Sequence, residues 1–76
     1  MSHTTLVRMN TGQTGKVAAI RGGRGLVIRL ESLGIRPGVK IEKVSGQFMR
    51  GPIIVKVGTT QVAIGFGMAH RVIVEI

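Results

Sequence analysis

The chain contains no cysteine, no tryptophan, no tyrosine and no aspartate among its 76 residues. Lack of cysteine rules out disulfides and thiolate metal sites. Lack of Tyr and Trp, with Phe48 and Phe66 as the two phenylalanines, removes the base-stacking platform that RNA modules commonly use. It also removes the aromatic lining of a proline-rich peptide groove. Titratable groups for catalysis are scarce too. His3, His70, Glu31, Glu42 and Glu75 complete the set of His and side-chain carboxylates, whereas general acid–base chemistry needs one such group held within reach of another. The reading is a non-enzyme with no catalytic residue. His3, Met68, His70 and Glu75 show no ligand spacing, so neither a metal site nor a cofactor is expected. No apolar run approaches the ~18 residues of a spanning helix, and the polar opening MSHTTLVRMN lacks the apolar segment of a secretory signal. A soluble cytoplasmic protein is the expectation.

What is present is apolar and basic. A hydrophobic fraction of 43% and a mean hydropathy of +0.34 are too high for disorder. A mass of 8.1 kDa points to one domain over residues 1–76, with residues 1–4 expected to fray. At that size only ~60% of the unfolded surface is buried, so the core must be regular. Eleven Lys and Arg stand against three Glu, for a formal net charge of +8. Acidic partners are favoured, but charge alone does not choose among nucleic acid, an anionic membrane face and an acidic protein surface.

Strand signals recur at short intervals: TLVRM (5–9), KVAAI (16–20), VKIEKV (39–44), IIVKV (53–57), QVAIGF (61–66) and RVIVEI (71–76). The spacing predicts a mainly β, small antiparallel barrel or meander. Period-two alternation places Val39, Ile41 and Lys43 on one face, Ile53, Val55 and Val57 on another, and Val62, Ile64 and Phe66 on a third. Glycine-bearing turns separate these runs at NTGQTG, RGGRG, SGQFMRGP and VGTTQ. The last should close a hairpin at Val57–Thr60.

One stretch breaks the pattern. Leu26, Leu30 and Leu33 fall at i, i+4 and i+7, the spacing of a helical stripe. Gly34 suits the left-handed residue after a helix, Ile35 can fold back onto its last turn, and Pro37 cannot continue it. The spacing therefore predicts a helix over about residues 25–33, inserted between the second and third strands.

Two glycine clusters, GGRG (22–25) and GFGMAH (65–70), could offer backbone N–H groups to a phosphate, but neither matches a nucleotide-binding motif. The stretch TGQTGKVAAIRG is similar to the KOW segment of ribosomal and elongation proteins. With Arg8, Lys16, Arg21 and Arg24 nearby, it supports an alternative reading as an RNA-binding barrel held through phosphate contacts.

The run RLESLGIRPG, residues 29–38, resembles the motif R-L-x-x-L-G-x-x-P-G of the FeoA family, ferrous iron transport protein A. The order of the flanking segments also resembles that family from about Leu6 onward. The resemblance implies an SH3-like barrel carrying the helical insertion. It further implies a cytosolic accessory of a membrane ferrous-iron permease, FeoB, whose cytoplasmic region is a GTPase. Association with the membrane would then come through that partner, and self-association is left open. On this reading Leu30, Gly34, Pro37 and Gly38 build the motif. The helix face and turn with Arg24, Leu26, Arg29, Leu33 and Arg36 are the expected partner-binding residues, with an apolar anchor inside a basic rim.

Overall fold

Alternating apolar side chains decide which face of each strand turns inward. In the computed structural model, which describes residues 2–46 and 51–76, this alternation builds a six-stranded sheet. In chain order the elements are β1 (His3–Thr5), β2 (Thr14–Ile20), α1 (Arg24–Ser32), β3 (Lys40–Ser45), β4 (Ile53–Val57), β5 (Thr60–Ile64), α2 (Phe66–Ala69) and β6 (Val72–Glu75). Their order across the sheet is β1-β6-β2-β3-β4-β5, and every pairing is antiparallel. Val17, Ile41, Ile53, Val55, Ile64, Val72 and Val74 point inward from five strands and meet Leu6, Met9, Leu30, Ile35 and Ala69 in one core cluster. The sheet thus curls around a single interior. The β4–β5 hairpin has the expected register, with Val57 opposite Thr60 and Gly58 at φ +63° in the tight turn between them. The turn expected at 45–52 falls partly outside the described residues, as does Phe48.

Two sequence expectations are corrected. Residues 6–9 are not strand: Arg8 N and Met9 N both donate to Thr5 O, at 3.1 and 3.0 Å. This single helical turn sends Leu6 and Met9 into the core. The strand lies earlier, where residues 1–4 were expected to fray. His3, Thr4 and Thr5 pair with Glu75, Val74 and Ile73, and Ile76 N donates to Ser2 O at 2.9 Å. An edge strand with one neighbour can be polar, so the hydrophobic pattern did not mark it. The second correction is at QVAIGF. Pairing ends at Ile64, and residues 66–69 form a helical turn closed by Ala69 N to Gly65 O at 2.9 Å and His70 N to Phe66 O at 3.0 Å. Ala69 is fully buried beneath it.

Lys43 occupies the inward position that alternation assigns it and is only 3% exposed. Its Nζ donates to Val7 O at 2.9 Å and Met9 O at 2.7 Å. These carbonyls belong to the helical turn after β1, whose own closing bonds go to Thr5 O, so the lysine supplies them with a donor. A buried ammonium thus ties that turn to β3, and desolvation by burial lowers its pKa below the ordinary 10.5.

Helix α1 starts one residue before the expected boundary and ends on a motif that the sequence spells out. Leu33 is its C-cap. Gly34 N donates to Glu31 O at 2.9 Å and Ile35 N to Leu30 O at 3.0 Å, the paired bonds of a Schellman termination. Gly34 takes φ +90°, and the apolar contact of the motif is made by Leu30 and Ile35, both fully buried in the core. A Cβ at Gly34 would lie 3.6 Å from Val57 Cγ1, ordinary contact, so replacing it strains only the backbone. Gly34→Ala should therefore lower stability by about 1 kcal/mol, read as a fall in Tm of roughly 4–8 °C for a domain of this size.

The chain then turns once more. Val39 N donates to Arg36 O at 3.2 Å, with Pro37 and Gly38 as the central residues and Gly38 at φ +94°. Proline followed by a positive-φ glycine is the chemistry of a type II turn. Gly38 N reaches Val17 O and Val17 N reaches Val39 O, both at 2.8 Å, beside the irregularity that β2 makes between Val17 and Ala19. The turn after the helix is therefore fixed to the middle of the sheet.

Candidate partner-binding face

Because α1 buries Leu30 and half-buries Leu26, Val27 and Leu33, its remaining positions face solvent. Arg24, Gly25, Ile28, Arg29, Glu31 and Ser32 are exposed. The turn that follows adds exposed Arg36, Pro37 and Gly38. Among the expected partner-binding residues, Arg24, Arg29 and Arg36 thus share a solvent-facing helix and its adjoining turn. Leu26 and Leu33 instead pack against the core.

The apolar feature of this face is Ile28, which the leucine spacing passed over. It is 54% exposed, follows Arg24 by four residues and precedes Glu31 by three, so both charged residues neighbour it on the helix. An isoleucine more than half exposed with charged flanks is what an interface anchor with a polar rim requires. The signal available in the sequence was an apolar residue off the Leu26–Leu30–Leu33 stripe.

The other sequence candidates are dispersed. Arg8, Lys16, Arg21 and Arg24 are all exposed, but they come from separate segments: the turn after β1, β2, the residue beyond β2, and the start of α1. Gly23 is the N-cap of α1 without a side-chain cap bond, and Gly65 is the N-cap of the four-residue α2. His3 and His70, far apart in sequence, line one surface cavity together with Arg8 and Arg21. Among the described residues no three His or carboxylate side chains come together as metal ligands.

A six-stranded antiparallel sheet curled around one apolar core, with a helix inserted between its second and third strands, is an SH3-like domain. The chain belongs to the FeoA family of ferrous iron transport accessory proteins, since the FeoA domain model matches residues 4–76. It is 36% identical over 64 residues, 84% of this chain and 76% of the relative, to the Fe(2+) transport protein A of Methanocaldococcus jannaschii. A crystal structure of the iron uptake regulatory protein FeoA superposes with a TM-score of 0.91 at 38% identity, covering 97% of each chain. The zinc complex of Stenotrophomonas maltophilia FeoA, described as a procaryotic SH3 domain protein, has a TM-score of 0.80 at 26% identity. That match covers 95% of this chain and 89% of the relative.

Proposed function

We propose that this protein acts in the cytoplasm as an accessory of ferrous iron uptake. In this reading it docks, through the exposed side of α1 and the following turn, on the cytoplasmic GTPase region of a FeoB-type permease. The observation that carries the reading is Ile28, exposed beside Arg24 and Glu31 on an element whose other face is committed to the core. Ile28 anchors the contact, while Arg24, Arg29 and Arg36 steer association toward an acidic surface. Binding there biases the partner between nucleotide states by the difference in affinity for them. No chemical step is required of this chain.

Titration of the 15N-labelled protein with the soluble GTPase region should give saturable amide shifts confined to residues 24–38. Ile28→Asp, or Arg29→Glu, should weaken that binding by about tenfold, or ~1.4 kcal/mol, with Tm unchanged because both side chains are exposed. Saturable shifts at residues 8–24 with a structured RNA, and none with the GTPase region, would replace this reading by the RNA-binding one.

A further inference from the structure

The surface cavity between β1, the end of β2 and the α2–β6 connection has a volume of about 430 Å³. Its walls include His3 and Thr5 from β1, Arg8 from the turn after it, Arg21 from beyond β2, and His70 from beyond α2, with Ile73 of β6 as an apolar member. Segments from both ends of the chain thus meet, because β6 lies between β1 and β2. The lining presents guanidinium, imidazole and hydroxyl groups, and no carboxylate. Glu75, which pairs with His3 across the strands, does not line it. A second cavity of about 290 Å³ differs in this respect: Glu42 sits there with Lys40 and Lys56, so its wall carries a carboxylate that offsets one of the two ammoniums.

We propose that the 430 Å³ cavity binds a phosphate group, free or at the end of a small organic phosphate. Two guanidiniums supply forked donors matched to phosphate oxygens, and the Thr5 hydroxyl and the imidazoles add further hydrogen-bonding groups. Their frames are held in place. Arg21 N donates to Arg71 O at 2.8 Å and Arg8 N to Thr5 O at 3.1 Å, and the His70 ring stacks on Phe66 at a centroid distance of 5.9 Å. A divalent cation, which paired imidazoles would otherwise invite, is opposed by Arg8 and Arg21. The volume exceeds what one phosphate fills and admits the organic portion of a larger ligand. The site shares no residue with the α1 docking face, so the two proposals stand or fall separately.

The test is a chemical-shift titration of the full chain with inorganic phosphate and, separately, with ATP, at fixed ionic strength maintained with sodium chloride. Saturable shifts at Thr5, Arg8, Arg21 and His70 with either probe are expected. Equal affinities would identify phosphate itself as the ligand, and tighter ATP binding would identify an organic phosphate. Arg8→Gln and Arg21→Gln should each weaken binding by about tenfold or more, while Lys56→Gln, outside the cavity, should leave it unchanged. Tm values of the variants confirm that each is folded, and the parent titration decides the matter for any that is not. Non-saturating shifts spread equally over Arg36, Lys40 and Lys56 would overturn the proposal, as would a response of His3 and His70 to zinc with none to phosphate.

Discussion

Leu30→Ala should lower the stability of this protein by about 2–5 kcal/mol, the range measured when a large buried aliphatic side chain is truncated in a packed core. Leu30 is fully buried and acts in three ways at once. It seats α1 on the barrel, its carbonyl accepts the Ile35 N–H that closes the helix, and its side chain shares the core with Ile35 itself. The truncation would leave a void that neither the capped helix nor the turn anchored on Val17 can collapse to fill. Small domains hold roughly 0.05–0.15 kcal/mol of stability per residue, so this single change would remove a large share of the total. Urea unfolding should show a lower midpoint with the slope m unchanged. A loss below about 1 kcal/mol would mean that α1 is not seated as described.

Lys43→Met should be nearly as damaging, at about 2–3 kcal/mol near neutral pH, because two buried carbonyls lose a charged donor while the side-chain volume is kept. The pH dependence identifies the cause. Below its lowered folded-state pKa, Lys43 is protonated in both the folded and the unfolded chain, and the cost of burying the ammonium is present in full. Between that value and the ordinary 10.5 the unfolded chain binds more protons, so stability rises with pH. The neutral amine formed in the folded state still carries two N–H groups, enough for Val7 O and Met9 O. The stability gap between the parent and Lys43→Met should therefore widen as pH rises through the lowered folded-state pKa toward 10.5, read from paired urea curves. A gap that narrows over that window would show that the ammonium charge, and not the donor geometry, stabilises the turn.

How far the sequence could be read follows from how local each signal is. The helix and its stop were legible because Leu30, Gly34, Ile35 and Pro37 act within one or two turns of chain. The inward position of Lys43 was legible too, since alternation counts position and not polarity, but the partners it finds on Val7 and Met9 are set by tertiary contact. β1 was missed because its stability comes from pairing with β6, and its own residues are polar. α2 was missed because QVAIGF continues a strand pattern until Gly65, and only the burial of Ala69 decides otherwise. Ile28 escaped because the leucine stripe accounted for the helix without it. The meeting of His3, Arg8, Arg21 and His70 is invisible in any window of sequence, since it depends on which strand β6 joins.

That placement of β6 also governs how the barrel is assembled in time. The sixth strand is not at an edge but lies second in the sheet, between β1 and β2, so both seams it closes wait for residues 72–75. Until residues 72–75 are available, β1 has no partner and β2 pairs on one side alone. The β3–β4–β5 meander, by contrast, joins neighbours in sequence and can form early. Folding should accordingly show a fast hairpin-forming phase followed by a slower closure limited by the entropy of bringing the chain ends together. Because Ile76 N already bonds to Ser2 O, linking the ends and reopening the chain between Gly58 and Thr59 would make that closure local and accelerate it.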